Sequence, residues 1–301
     1  MRFHGGSIML LISMFLISCD KKETLSEVVE RGLNVSSQQT MFLAEELENQ
    51  EKKLPRTYEN NELKTVGYKS WVSGFFPGVL WYLYENDPTE ELKRYAELYT
   101  SRVEPAKNMT STHDLGFMLY CSFGNGYRLT HDSTYLEVLK TGSKSLATRF
   151  NSKIGAINSW GDRGKWQYPV IIDNMMNLEM LSFVAKKTGK ESYMDMINAH
   201  AQTTLKQHFR PDNSCYHVVS YDTITGLPHA KNTHQGYADE SAWSRGQAWA
   251  LYGYTMMYRE TGKPEYLEQA RKVARFIKNH PNLPSDKVPY WDFDAPDIPN
   301  T

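Results

Sequence analysis

One unit recurs along the chain and limits its fold more than any other feature: a helix ends, a tight Gly, Asp or Pro turn follows, and a second helix starts on an aromatic or Leu contact. It occurs at Tyr127–Leu136, Lys186–Met194 and Tyr258–Leu267, with a weaker copy at Tyr84–Leu92. Such a unit is an αα-hairpin, and hairpins in series stack into a solenoid or a ring. Strand signals are few. Apolar periodicity predicts helices over Leu25–Glu51, Val72–Glu85, Glu90–Val103, Asp114–Leu129, Ser133–Phe150, Asn174–Lys187, Glu191–His208, Ala242–Glu260 and Pro264–Asn279. Links inside hairpins are short. Links between them, Asn151–Ile172 and Arg210–Ser241, are long and rich in Trp, Asp, His and Gly. Long structured loops usually carry function, and a ring of hairpins gathers its long loops at one end. The expectation is an all-α toroid with a site at its loop-rich mouth. An open α-solenoid that binds protein would show more regular repeats and shorter loops. The predicted helices do not close a ring of six hairpins, and Trp291–Asp297 reads as loop. The domain 25–301 is therefore expected to be incomplete at its C-terminus by about three helices.

The N-terminus reads as a targeting segment. Arg2 supplies positive charge, Ile8–Ile17 is an apolar run too short to span a bilayer, and Leu16-Ile17-Ser18-Cys19 has the form of a lipobox. Residues 1–18 are expected to be a lipoprotein signal peptide, with Cys19 lipidated and residues 19–24 a short polar tether. A plain secretory signal is the simpler alternative. The expected product is exported, periplasmic or at the cell surface, and meets a membrane through its lipid anchor alone. Of the remaining thiols, Cys121 lies in an apolar helical stretch and is expected to be buried. Cys215 lies in a loop, and nothing in the spacing demands a bridge. The net charge of −1 provides no basic field for nucleic acid, so attraction for an acidic ligand has to be local.

The densest local chemistry is His234–Trp249. Ser241 is placed to cap the following helix, on which Arg245 and Trp249 stand four residues apart on one face. A planar cation beside a flat aromatic ring suits a sugar that bears a carboxylate. Asp114 and Asp173 each stand where an apolar helix begins. Asp is a favoured N-cap, so either could serve structure alone. In a toroid, however, the starts of inner helices converge on one mouth. Two carboxylates brought together there resist joint ionisation, which raises one pKa, although a helix N-terminus favours the anion. Trp71, Trp160 and Trp249 are candidate sugar platforms, whereas Trp81 and Trp243 read as core. His113 and His217 flank acidic or aromatic neighbours. No spacing typical of a zinc site, phosphate loop or nucleophile elbow is present. Acid–base chemistry on a sugar, without metal or cofactor, is the expectation.

At these residues the chain resembles the unsaturated glucuronyl hydrolases, glycoside hydrolase family 88. The resemblance runs from about Trp71 onward. It is carried by His113-Asp114-Leu115-Gly116-Phe117, by Asp173-Asn174-Met175-Met176-Asn177-Leu178, and by Ser244-Arg245-Gly246-Gln247-Ala248-Trp249-Ala250-Leu251-Tyr252-Gly253. It implies an (α/α)6 barrel, no metal, and a substrate with a 4,5-unsaturated uronic acid at its non-reducing end, such as polysaccharide lyases release from glycosaminoglycans. By the same resemblance Asp173 is the acid and base, and Asp114 the second carboxylate that holds sugar hydroxyls. His113, Trp71, Trp160, His217, Gln235, Arg245 and Trp249 are implied substrate contacts. The related unsaturated rhamnogalacturonyl hydrolases typically carry Cys-Arg-Gly-Asn-Gly-Trp where this chain has Ser244–Trp249. A sugar-binding lipoprotein without catalysis would lack one of the paired Asp residues.

Overall fold

A computed structural model of the chain describes residues 23–161 and 164–298. The signal segment and the lipidation candidate Cys19 lie outside the described residues. The chain divides into two units, Met1–Gln39 and Thr40–Thr301. The described part of the first unit is mostly the opening of helix α1 (Leu25–Leu47). Its start is a reciprocal cap: Thr24 N–H donates to the Glu27 carboxylate at 2.7 Å, and Glu27 N–H donates to Thr24 Oγ1 at 3.3 Å.

The second unit is built from helical hairpins. Helix α2 (Phe75–Asn86) packs on α3 (Glu90–Val103). A π-helix (Gly116–Gly124) runs into α4 (Asn125–Thr130) and packs on α5 (Ser133–Ala147). Helix α6 (Asn174–Thr188) pairs with α7 (Glu191–Gln207), and α8 (Ser244–Thr261) with α9 (Pro264–Asn279). The first member of each pair also touches the first member of the next, so α2, the π-helix, α6 and α8 form an inner row. The partners α3, α5, α7 and α9 stand outside it. Burial follows this arrangement. Most of α6 is buried, whereas α9 buries one stripe through Tyr266, Gln269, Ala270 and Val273. The hairpin turns that close α6 and α8 use Gly189 and Gly262, each with φ 70°, a conformation that Cβ-bearing residues rarely adopt.

The core is rich in aromatics with satisfied polar tips. Tyr99 OH donates to Ala44 O at 2.7 Å, Tyr254 OH to Ala201 O at 3.0 Å, and Trp81 Nε1 to Thr100 Oγ1 at 2.9 Å. Large rings contribute apolar area, and their polar atoms find partners instead of being left unpaired. Trp81 is core, as expected, at 0% exposure.

The long links hold more β-structure than the sequence suggested. Strand β1 (Leu54–Glu59) pairs with β2 (Glu62–Val66), and β3 (Phe150–Asn151) with β4 (Ala156–Ile157). More consequentially, the two long loops pair with each other. Strand β5 (Pro169–Ile171) from the first loop lies antiparallel to β6 (Val218–Tyr221) from the second, and β7 (Pro228–Asn232) completes the sheet. Runs of three to five residues with little alternation, all four buried in β6, gave no periodic signal.

Three local expectations need correction. The stretch Asp114–Leu129 is not one α-helix. Gly116–Gly124 takes the wider π form before α4 begins, and the Phe117 N–H of its open first turn donates to Asn177 Oδ1 at 2.9 Å. Ser241 does not cap α8, which starts at Ser244 without a side-chain cap. The Ser241 hydroxyl instead accepts from Ala238 N–H at 3.0 Å and lies 2.8 Å from Asp292 Oδ2. Cys121 is half-buried rather than buried, and both it and buried Cys215 are free thiols.

The 3₁₀ turn Trp71–Gly74 presses on the π-helix so closely that a Cβ at Gly74 would lie 2.2 Å from the Met118 carbonyl oxygen. Backbone cannot yield as a flexible side chain can. Gly74→Ala is expected to cost about 1–3 kcal/mol or more in urea unfolding. An unchanged denaturation midpoint would show that the two segments are not held in this contact.

Candidate active site

The loop sheet places the acidic residue. Just beyond β5, Ile172 N–H donates to His217 O at 3.0 Å, and the next residue is Asp173. Asp173 occupies the first position before α6, yet its backbone is already helical (φ −55°, ψ −27°) and its side chain makes no capping bond. The capping role available to this residue from sequence is therefore not what its carboxylate does. The residue is 8% exposed, and its Oδ2 is buried without a hydrogen-bond partner in the protein. His217 Nε2 stands 3.7 Å from that oxygen, too far for a hydrogen bond. Burial in this setting pushes the Asp173 pKa up to about 7. The negative charge of Asp114 acts in the same direction to a smaller degree, while His113, Asp173's own N–H and Arg245 oppose it.

Asp114 lies in the approach to the π-helix and has a different environment. Its Oδ1 is 3.1 Å from His113 Nε2, and its Oδ2 accepts from Thr112 Oγ1 at 2.7 Å. Burial alone would raise its pKa, but His113, Thr112 and Arg149 together hold it below the ordinary value. The two carboxylates are thus driven apart: Asp114 is ionised, and Asp173 carries its proton close to neutrality. Such a split is the usual sign of divided acid and base duties.

His217 is 3% exposed, and its Nδ1 accepts two backbone N–H groups, from His234 and Gln235, each at 3.1 Å. With Nδ1 held as an acceptor, the ring proton sits on Nε2 and faces Asp173. Burial, before the nearby cationic groups, lowers the His217 pKa to about 3, so the ring is neutral at working pH. Gln235 Oε1 accepts from the Arg245 guanidinium at 2.5 Å. That guanidinium lies 4.6 Å from the ring centre of Trp243 and 5.5 Å from that of Trp71. Arg245 thus has aromatic partners, but they are Trp243, two residues before it, and Trp71 from a distant segment rather than Trp249. Trp249 instead packs on Phe117 at 5.1 Å, and Phe117 meets Trp71 at 5.6 Å. Trp160 stands 5.6 Å from the His234 ring. Asp173, Asp114, His113, His217, Arg245, Gln235 and the rings of Trp71, Trp160 and Trp249 therefore belong to one connected cluster.

A family model described as Glycosyl Hydrolase Family 88 matches residues 42–290. The chain belongs to this family. Among its relatives, an unsaturated glucuronyl hydrolase of Formosa agariphila is 48% identical over 235 residues, which is 77% of this chain and 59% of that protein. An unsaturated chondroitin disaccharide hydrolase of Streptococcus agalactiae is 32% identical over 276 residues, 90% of this chain and 67% of that one. The crystal structure of an unsaturated glucuronyl hydrolase specific for heparin shares 46% identity at a TM-score of 0.82, covering 87% of this chain and 71% of that one. The S. agalactiae unsaturated glucuronyl hydrolase superposes at 0.85 with 30% identity, covering 93% and 71%. The all-α expectation holds, and the hairpins are those of the family 88 α/α barrel.

Every candidate site residue of the sequence reading falls inside the span matched by family 88. Some neighbours escaped that reading. Trp243 reads as core from sequence, and at 5% exposure it is buried, but its ring lies 4.4 Å from that of His217 and 4.6 Å from the Arg245 guanidinium. Trp166 and His234 meet Trp160 across the mouth at 5.7 and 5.6 Å. Loop position beside Trp160 was the one signal for Trp166. Its place inside His234–Trp249 is the one local signal for Trp243, because apolar burial and site wall otherwise look alike in sequence.

The raised Asp173 pKa has a stability consequence. In the native state this carboxyl keeps its proton up to about pH 7, whereas its unfolded value is 3.8. The native state then binds more protons than the unfolded state between these values, so this contribution is present at low pH and lost as pH rises through 7. From pH 5 to pH 8 the wild type is expected to lose on the order of 3 kcal/mol relative to Asp173→Asn. Parallel urea-unfolding curves for the two proteins at those pH values would contradict the assignment.

Proposed function

We propose that the chain is a glycoside hydrolase that removes a 4,5-unsaturated uronic acid from the non-reducing end of lyase-generated, glycosaminoglycan-type oligosaccharides. The observation that carries this reading is the pair of unlike carboxylates: a protonated Asp173 with an unengaged buried oxygen, beside an ionised Asp114. Relatives named for glucuronyl and chondroitin disaccharide substrates, and a structural neighbour specific for heparin, support the same substrate class.

The chemistry is hydration of a vinyl ether. Asp173 donates its proton to C4 of the double bond, and positive charge develops at C5, shared with the ring oxygen. Asp173, now ionised, takes a proton from the water that attacks C5. The hemiketal formed opens and releases the remaining saccharide. One group is acid and then base, so its pKa has to lie near the operating pH. The Nε2–H of neutral His217 faces the carboxylate in the step where it bears charge. Asp114, already an anion, orients sugar hydroxyls as an acceptor. Arg245, braced by Gln235 and two indole rings, meets a polar or ionic group of the substrate. Trp71, Trp160 and Trp249 offer faces for sugar C–H groups, and His113 holds Asp114.

The sequence Ser244–Trp249, with Gln247 inside it, favours the glucuronyl over the rhamnogalacturonyl reading. Gln247 Oε1 accepts from Cys215 N–H at 2.9 Å, and its Nε2 lies 3.2 Å from Cys215 O. It clamps the segment that leads to His217 from both sides. The Asn that rhamnogalacturonyl hydrolases typically carry at this position is one methylene shorter. As a further part of this proposal, the lipobox at Leu16–Cys19 and the apolar run before it support export and anchoring through lipid on Cys19.

Loss of ultraviolet absorbance from the conjugated alkene reports turnover of unsaturated disaccharides from chondroitin, hyaluronan or heparin. Asp173→Asn is expected to lower kcat by roughly 10³-fold or more while sugar binding persists. Wild-type turnover should fall above about pH 7, as Asp173 loses the proton it must donate. A variant with near-native kcat would remove Asp173 from the mechanism.

A further inference from the structure

Asp292 belongs to the segment that reads from sequence as a bare loop, yet it is 0% exposed. A carboxylate in that position is costly unless its oxygens are engaged. No cation pairs with it among the described residues. Its Oδ1 accepts from Asp294 N–H at 2.9 Å. Its Oδ2 accepts from Tyr237 N–H at 2.9 Å and lies 2.8 Å from Ser241 Oγ. The surrounding segment is bonded to the same loop: Phe293 N–H donates to Ala242 O at 3.0 Å, and Ala242 N–H to Asp294 Oδ2 at 2.8 Å.

The geometry points to Asp292 as a positioning residue that fixes the tautomer of His217. Four successive backbone N–H groups, from His234 to Tyr237, all point at side-chain acceptors. The first two converge on His217 Nδ1, the third reaches Thr233 Oγ1 at 2.7 Å, and the fourth reaches Asp292 Oδ2. Thr233 is part of the loop itself, so Asp292 is the anchor that joins this run from a distant segment. The fit is tight: a Cβ at Gly236 would lie 2.7 Å from Thr233 Oγ1 and 3.0 Å from Asp292 Oδ2. With the run held, Nδ1 of His217 can only accept, and the proton on Nε2 faces Asp173. With the run released, the other tautomer becomes available and would set a lone pair against the Asp173 carboxylate. Gln235 lies in the same run and holds Arg245, so the anchor also orders the substrate side of the site.

This inference rests on Asp173 being the acid and base, but its first test does not need turnover. Imidazole nitrogen shifts of the ¹⁵N-labelled full chain, with His217 assigned through His217→Gln, report the tautomer directly. The wild type is expected to show a protonated Nε2 and a bare Nδ1 from pH 6 to 8. Asp292→Ala should move both nitrogens to intermediate shifts, and kcat should fall roughly 10–100-fold with KM changed much less. A folded Asp292→Ala protein that keeps the single Nε2–H tautomer overturns the proposal, whatever its activity. A shifted tautomer alongside no hydration by wild type would uphold the anchor and sink the reaction instead. Should Asp292→Ala fail to fold, Tyr237→Pro removes the N–H that the same carboxylate holds, and an unmoved tautomer there overturns the proposal equally.

Discussion

The pairing of β5 with β6 is the contact on which the site depends. Only three residue pairs join these strands, from Pro169↔Ser220 to Ile171↔Val218. They close two loops that are far apart in sequence, and they set Asp173 beside His217 through the bond between Ile172 N–H and His217 O. The register carries the consequence. Side chains alternate along a strand, so a slip by one residue would turn a neighbouring face toward the mouth. Both faces of the pairing are buried, Val170 and Val219 in one apolar cluster and Ile171 and Val218 in another, so a slip would pull each side chain out of its own cluster. The helices supply the rigid frame, and the small sheet fixes the chemistry.

Electrostatics then separates two residues of the same type. Asp114 meets a histidine, a hydroxyl and the field of an arginine; Asp173 meets apolar burial and an imidazole N–H beyond bonding distance. The mutual repulsion expected from sequence is present, but it is the smaller influence. Desolvation dominates at Asp173, as it does for any carboxyl removed from water without a partner. The anion preference of the α6 N-terminus does not prevent this, since the side chain makes no capping bond.

Much of this was legible in the chain because helices declare themselves locally. Pro264–Asn279 was read to the residue, and α6 and α7 to within one, since the apolar stripe, the Gly turn and the initiating Pro or Glu all lie within a few positions. The long loops stand out in sequence by their content but not by their form. Strands of three to five residues lack the length to show a period, and their partners lie dozens of positions away. Ser241 misled for a related reason. A Ser shortly before a helix is a good cap by local rules, but the buried Asp292 carboxylate, delivered from the far end of the domain, offers its hydroxyl another place. The π form escaped because its apolar run reads the same as that of an α-helix, and the partner of its first turn, Asn177, lies sixty positions away.

The same remoteness explains why the aromatic walls were harder to assign than the acids. A carboxylate at a helix start has few uses, so chemistry and capping are the only contenders. An indole can fill a core and line a site at once, and Trp243 does both. Its buried edge packs in the domain, while its face stacks with His217 and supports Arg245. The Trp243 ring centre lies 4.4 Å from that of His217 and 4.6 Å from the Arg245 guanidinium, and no ion pair joins Arg245 to Asp173 among the described residues. An arginine in direct contact with the carboxylate would lower the Asp173 pKa by about a unit or more. With the guanidinium held by Gln235 and resting on Trp243, burial remains the dominant influence on Asp173.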